Sequence, residues 1–299
     1  MVVRYITRLG ACRNTTCMEA VEKSMKKPFL QITGFFLLCF LHSSCTVSLP
    51  KEVVSLEPMD KCPEWTLAEL KKNAPLFNHN TDTFTLQCAL ALLRNSKRVP
   101  IHHTSLGSHI CFLLADRTNT DQIRRERFAS EGVYWAEIAL TGDGRKDGDV
   151  YYYLAVNLGI SVKEHMALAL KNLDRLVSSL EIAIELSPDV NYGGPFRVLG
   201  MLYLKAPPWP RGIGDGDRAL ELLHKAVQKH PEHPKNQIFY AQALWEMEGE
   251  DKKKEIQNYL EEGLKLMNQE HWKSAKERWI DDLNYVAKEA DILLPSSLH

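Results

Sequence analysis

Histidine and aspartate are the residues of this chain whose spacing could support chemistry. His102, His103 and His109 form one group, and His224, His230 and His233 another. A zinc hydrolase needs two histidines four apart on one helix face, with a glutamate between them as base. Neither group has that HExxH spacing. His224 and His230 are six apart and share a helix face poorly, and prolines that end helices flank the second group. Both groups read as surface histidines. The other candidate is "APPWPRGIGDGD", Ala206 to Asp217. A phosphate cradle would follow a strand and continue into Gly-Lys-Ser/Thr, and neither condition is met. For a calcium loop, Asp215 and Asp217 have no third carboxylate and no closing glutamate at EF-hand spacing. With no GxSxG and no distinctive carboxylate pair, the sequence offers no catalytic residue, metal site or cofactor site.

A turn accounts for this loop residue by residue. Pro207 and Pro208 stop the preceding helix, while Gly212, Gly214 and Gly216 are expected to supply positive φ. Asp215 or Asp217 caps the next helix. Trp209 is left over, because a turn needs no large aromatic. It either plugs its own groove or presents a surface to a partner.

The elements around these residues are helical. The 299-residue chain is 44% hydrophobic and 25% charged with a formal net charge of −1, which gives no overall basic balance for nucleic acid. The charge-rich "RRER" (Arg124 to Arg127) and "DKKKE" (Asp251 to Glu255) read as solvated helix starts. Apolar residues after Cys45 recur at three and four rather than at two. Stripes run through about 64–73, 81–95, 106–117, 121–140, 149–161, 165–186, 194–205, 216–230, 235–248 and 253–268. A last stripe joins Trp272, Trp279, Leu283, Val286 and Ala290. The fold class is all-α, with successive helices as antiparallel neighbours.

A repeat runs through these helices. Leu199-Gly200-x-x-Tyr203 is followed by Ala219, Leu223, Ala226 and Pro231, the tetratricopeptide arrangement of a helix pair. One unit earlier, Leu158-Gly159 precedes Leu176, Leu180, Ala183 and Pro188. One unit later, Tyr240-Ala241 precedes Ile256, Leu260, Gly263 and Asn268. The spacings of four, three and five agree in all three units, and the small residues mark close helix approach. Pro188 to Pro231 spans 43 positions, against roughly 34 for the usual repeat. The surplus is the Trp209 loop, and solenoid insertions often form a binding face. The expected architecture is a tetratricopeptide-like solenoid of helix hairpins over 62–294.

The N-terminal part has a different character. From Met25, Lys26 and Lys27 precede the apolar run Phe29 to Leu41, then Ser43, Ser44 and Cys45. This is the layout of a secretory signal, and the run is short for a membrane span. It resembles a bacterial lipoprotein signal (25–44) in which Cys45 is acylated, with His42 where an aliphatic residue is usual. The alternatives are a signal cut elsewhere or an uncleaved anchor. Residues 1–24 are expected to be an over-called extension, and 45–61 a tether. Thr46, in place of aspartate, favours the outer membrane by resemblance to known sorting rules. Of seven cysteines, Cys62, Cys88 and Cys111 would remain, in a compartment that permits disulfides. Cys88 with Cys111 is the first candidate for a bridge, and buried free thiols are the alternative.

"GGPFRVLGMLYLKAP", the Gly-Asp loop and "RALELLHKAVQKHPEHP" together resemble the T-component (TatT) family of lipoproteins associated with TRAP transporters. "DVYYYLAVNLGISVKE" fits the same family. The resemblance implies a lipid-tethered periplasmic helical protein that works with a periplasmic solute-binding protein. A hydrophobic or amphipathic small ligand would occupy a pore or groove, and homo-oligomers are compatible with this. Tetratricopeptide geometry places Val156, Ile160, Lys163 and Glu164 on the inner face of the first unit. Arg197, Met201, Leu204 and Lys205 follow in the second, and Ile238, Gln242, Trp245 and Glu246 in the third. The apolar members either contact a ligand or pack on a neighbouring helix. A periplasmic tetratricopeptide adaptor in envelope assembly is the alternative function.

Overall fold

The computed structural model describes residues 54–56, 62–96, 99, 101–118 and 120–294, with Ile101 and His102 by backbone alone. The signal, the 1–24 segment and Cys45 lie outside the described residues. The helices are α1 (Leu67–Asn73), α2 (Thr83–Asn95), α3 (Ile101–Arg117), α4 (Gln122–Leu140), α5 (Gly148–Val162) and α6 (Met166–Lys171). After them come α7 (Leu173–Leu186), α8 (Gly194–Lys205), α9 (Gly216–Lys229), α10 (Pro234–Glu248), α11 (Lys253–Met267) and α12 (Lys276–Glu289). The all-α expectation holds, and among the described residues the one β feature is an isolated bridge between Pro208 and Gly214.

Side chains set the helix starts. Thr66 and Glu69 close a reciprocal capping box on α1, and Asp82, Asp121 and Asp215 cap α2, α4 and α9 through their carboxylates. The stripe at 165–186 is interrupted, because the Asn172 side chain donates to the Leu168 carbonyl and ends α6 there. Trp272 precedes α12 rather than lying on it, yet it is buried and its ring packs 5.6 Å from that of Trp279.

Consecutive helices pack on one another, and a second set of contacts joins α3 to α5, α5 to α8, α8 to α10 and α10 to α12. Three clusters of buried apolar side chains follow the chain from its N-terminal to its C-terminal helices. Stacked repeats touch only their neighbours, but here distant parts of the chain also meet. Asn80 Nδ2 donates to the His271 carbonyl at 2.8 Å, and Ser274 Oγ donates to the His79 carbonyl at 2.9 Å. Arg278 Nε donates to Asp116 Oδ2 at 3.2 Å. The segment before α2 and the end of α3 are thus clasped to the start of α12.

Two expectations are corrected here. Cys88 bonds to Cys62, with Cα atoms 5.5 Å apart, inside the range that a disulfide spans. Cys111 is a free thiol buried in the N-terminal cluster, where apolar packing rather than a bridge accounts for it. The 45–61 tether is also docked in part. Val54 is buried in that cluster and its carbonyl accepts from Arg94 Nη1 at 2.9 Å.

Candidate functional site

A cavity of about 140 Å³ opens between α5, α8 and the start of α10, where the three apolar clusters meet. Helix α5 contributes Tyr152, Ala155, Val156, Gly159 and Ile160, a stripe at helical spacing. Helix α8 contributes Arg197, Val198, Met201, Leu202 and Lys205. Phe112, Leu176 and Phe239 complete an apolar wall, and His79, Asp116, His233, Lys235 and Trp279 make one end polar. An apolar cavity of roughly 150 Å³ accommodates a benzene ring, so this one suits a ring-sized group.

Five of the expected inner-face residues line it: Val156, Ile160, Arg197, Met201 and Lys205. The other seven are held elsewhere. Lys163 follows the end of α5 beside Glu164 Oε1 at 3.7 Å, and burial, then Arg125, lowers its pKa. Leu204 is half-buried against the middle and C-terminal clusters. Ile238 and Trp245 belong to the C-terminal cluster, and Gln242 Nε2 donates to Glu246 Oε1 at 2.9 Å. The third unit deviates because α12 packs on α10 and shares its core, so only the first two turns of α10, at Lys235 and Phe239, reach the cavity. The repeat pattern contains nothing that signals the contribution of α12.

Arg197 is 4% exposed and committed to the fold. Its Nη1 donates to the Tyr192 carbonyl at 3.0 Å and to Asn236 Oδ1 at 2.7 Å, and its Nη2 donates to the Asn191 carbonyl at 3.1 Å. Asn191, Tyr192 and Gly193 all have positive φ, and this guanidinium holds that strained turn. Lys205 pairs with Glu246 and lies 5.9 Å from the Tyr285 ring.

The polar end is built from residues far apart in sequence. The His79 ring lies 5.0 Å from that of Trp279, and the His233 ring 5.3 Å from the same indole. Burial pushes His79 down to about 4, and burial, then Arg197, puts His233 well below its ordinary value, so both are neutral at pH 7. His233 Nδ1 accepts from the Lys235 backbone N–H at 3.1 Å, which assigns its proton to Nε2. That Nε2 and the Trp279 indole nitrogen are both buried without a hydrogen-bond partner among the described residues. Lys235 Nζ stands 5.4 Å from the centres of Phe239 and of Trp279, with Asp282 Oδ2 3.6 Å away. For Asp116, burial works upward, but Lys235, His79 and Arg278 outweigh it and hold the carboxyl below its ordinary value. Among the described residues no group of three or more His, Cys, Asp and Glu is placed to hold a metal ion.

Trp209 is 85% exposed, so it does not plug a groove of its own. Its loop is a turn, as its composition implies. Gly214 N–H donates to the Pro207 carbonyl at 2.8 Å, and Asp215 caps α9. The role expected of its glycines is corrected, however. Among the described glycines, positive φ occurs at Gly193 and Gly249. At Gly214 a Cβ would stand 2.1 Å from the Ala206 carbonyl oxygen, so close backbone approach excludes a side chain there.

No protein-family model and no curated protein matches this chain.

Proposed function

We propose that the protein is a lipid-anchored periplasmic binding protein, and that its cavity takes up a small apolar or amphipathic ligand. The observation that carries this is the ring-sized apolar space between α5 and α8. Five positions that the repeat pattern places on the inner face line that space. The resemblance to the TatT family supplies the setting: accessory work beside a periplasmic solute-binding protein in TRAP-type uptake, with Cys45 acylated at the outer membrane. The Cys62–Cys88 disulfide supports an oxidising compartment.

Phenylbutanol, a ring with a short polar-tipped chain, is the probe. Titration calorimetry is expected to show saturable binding with one site, and ligand should raise the melting temperature by mass action. Gly159→Leu, which places a branched side chain in the cavity, should abolish both effects, as should Met201→Phe. Failure of the wild-type protein to bind would overturn the reading. The exposed Trp209 ring favours a second reading, an adaptor that docks a protein partner through this loop. Loss of solute-binding-protein capture in Trp209→Ala, with phenylbutanol binding intact, would join the two readings.

A further inference from the structure

The polar end of the cavity is rich in donors. His233 Nε2–H and Trp279 Nε1–H are buried and have no acceptor among the described residues. Their residues are 1% and 2% exposed, and their rings are 5.3 Å apart. Lys235 adds an ammonium 5.4 Å from the centre of the same indole. Its contact with Asp282, at 3.6 Å, is longer than a hydrogen bond. The one carboxylate lining the cavity, Asp116, is already engaged by Arg278. Among the lining cations, Arg197 is held by the Asn191–Tyr192 turn and Asn236 and Lys205 by Glu246, whereas Lys235 stands beside the indole that carries one of the two N–H groups. A buried N–H left without an acceptor is unfavourable, so such an end calls for a ligand that accepts hydrogen bonds and carries negative charge. At the other end, Ala155, Val156, Gly159 and Met201 offer hydrocarbon contact and no polar side-chain group.

We infer that the ligand is an apolar monocarboxylate. Its carboxylate takes the N–H groups of His233 and Trp279 beside the Lys235 ammonium, and its hydrocarbon part lies between α5 and α8. This rests on the cavity being a ligand site, and it names the chemistry of the ligand and the residues that recognise its head. His233 and Trp279 supply direction, and Lys235 supplies charge. His233, Lys235 and Trp279 come together through the packing of α12 on α10, and His79 and Asp116, from the clasped N-terminal part, close the cavity beside them.

The test compares phenylbutyrate, phenylbutanol and phenylbutylamine by titration calorimetry on the folded protein. The acid is expected to bind at least about tenfold more tightly than the alcohol, the factor that one charge-assisted hydrogen bond carries. The amine should bind most weakly. Trp279→Phe keeps a ring and removes the N–H, and Lys235→Met keeps the stem and removes the charge. Each should bring the acid down about tenfold while leaving the alcohol unchanged, and Lys235→Arg should retain the preference for the acid. Equal binding of acid and alcohol, or variants that weaken both alike, would overturn the head-group assignment and leave the cavity reading standing. If none of the three probes binds, the cavity reading fails and this inference fails with it.

Discussion

Gly159 and Gly200 follow leucine in two repeat units and look equivalent in sequence, yet the structure predicts opposite effects when each becomes alanine. A Cβ on Gly200 would lie 2.7 Å from Leu223 Cγ, 3.2 Å from the Ala219 carbonyl oxygen and 3.2 Å from Leu222 Cβ. Leu223 is fully buried, its Cγ is a branch point that cannot swing away, and the Ala219 contact is backbone. The new methyl must push α8 from α9. Overpacking of this kind costs about 1–3 kcal/mol, and rigid contacts put it in the upper part of that range. Replacing a helical glycine returns about 1 kcal/mol, which leaves a net loss of about 1–2 kcal/mol. At Gly159 the nearest atom to a Cβ is Leu176 Cδ1 at 3.5 Å, an ordinary contact. Only the helix effect remains there, and Gly159→Ala should stabilise by about 1 kcal/mol. In a domain of this size each kcal/mol moves the melting temperature by about 2–4 °C. Gly200→Ala should therefore melt about 2–8 °C lower than the parent, and Gly159→Ala about 2–4 °C higher. Circular dichroism melts under reversible conditions decide the matter. Shifts of the same sign would refute the claim that α8 and α9 approach more closely than α5 and α7.

The disulfide closes a loop with a sequence separation of 26. Cys62→Ser with Cys88→Ser should cost up to about 3.5 kcal/mol on the chain-entropy account, read as a lower denaturant midpoint. Acidification should also destabilise. His79 and His233 have folded pKa values below their unfolded value near 6.5, so the unfolded chain binds more protons at low pH. Stability is full above about pH 6.5 and is lost as pH falls from there towards 4. His79 alone contributes up to about 3 kcal/mol, and melts at pH 7 and pH 5 check the direction. Trp209→Ala should change stability by no more than about 0.5 kcal/mol, as expected of an exposed side chain. A large fall in its melting temperature would restore the plug.

Helices were legible because their causes are local. Apolar spacing and the caps at Asp82, Asp121 and Asp215 lie within a few residues of the turns they set. Of the positions that the repeat spacing assigns to an inner face, Val156, Ile160, Arg197, Met201 and Lys205 line the cavity. Trp245 and Gln242 fit the same pattern but are turned to other use, since α12 lies on α10 and no repeat position encodes that contact. Side-chain chemistry was harder to read than position. Arg197 lines the cavity, but that its guanidinium is consumed by the Asn191–Tyr192 turn depends on three residues with positive φ, which no local pattern announces.

The polar end shows the limit most clearly, and it also shows why the histidines were misjudged. His79 drew no notice and His233 read as a surface residue beside a proline, because the relevant neighbours are about 200 and 46 positions away in α12. Their burial follows from the clasp: once Asn80 and Ser274 bring the N-terminal loop to the start of α12, the rings of His79, His233 and Trp272 close around Trp279. Burial then keeps both imidazoles neutral, and the backbone N–H of Lys235 fixes the tautomer of His233. A head-group site assembled in this way takes its residues from the packing of α12 on α10 and its burial from the clasp. Substitutions at Asn80 or Ser274, distant from any ligand contact, should therefore weaken the acid more than the alcohol.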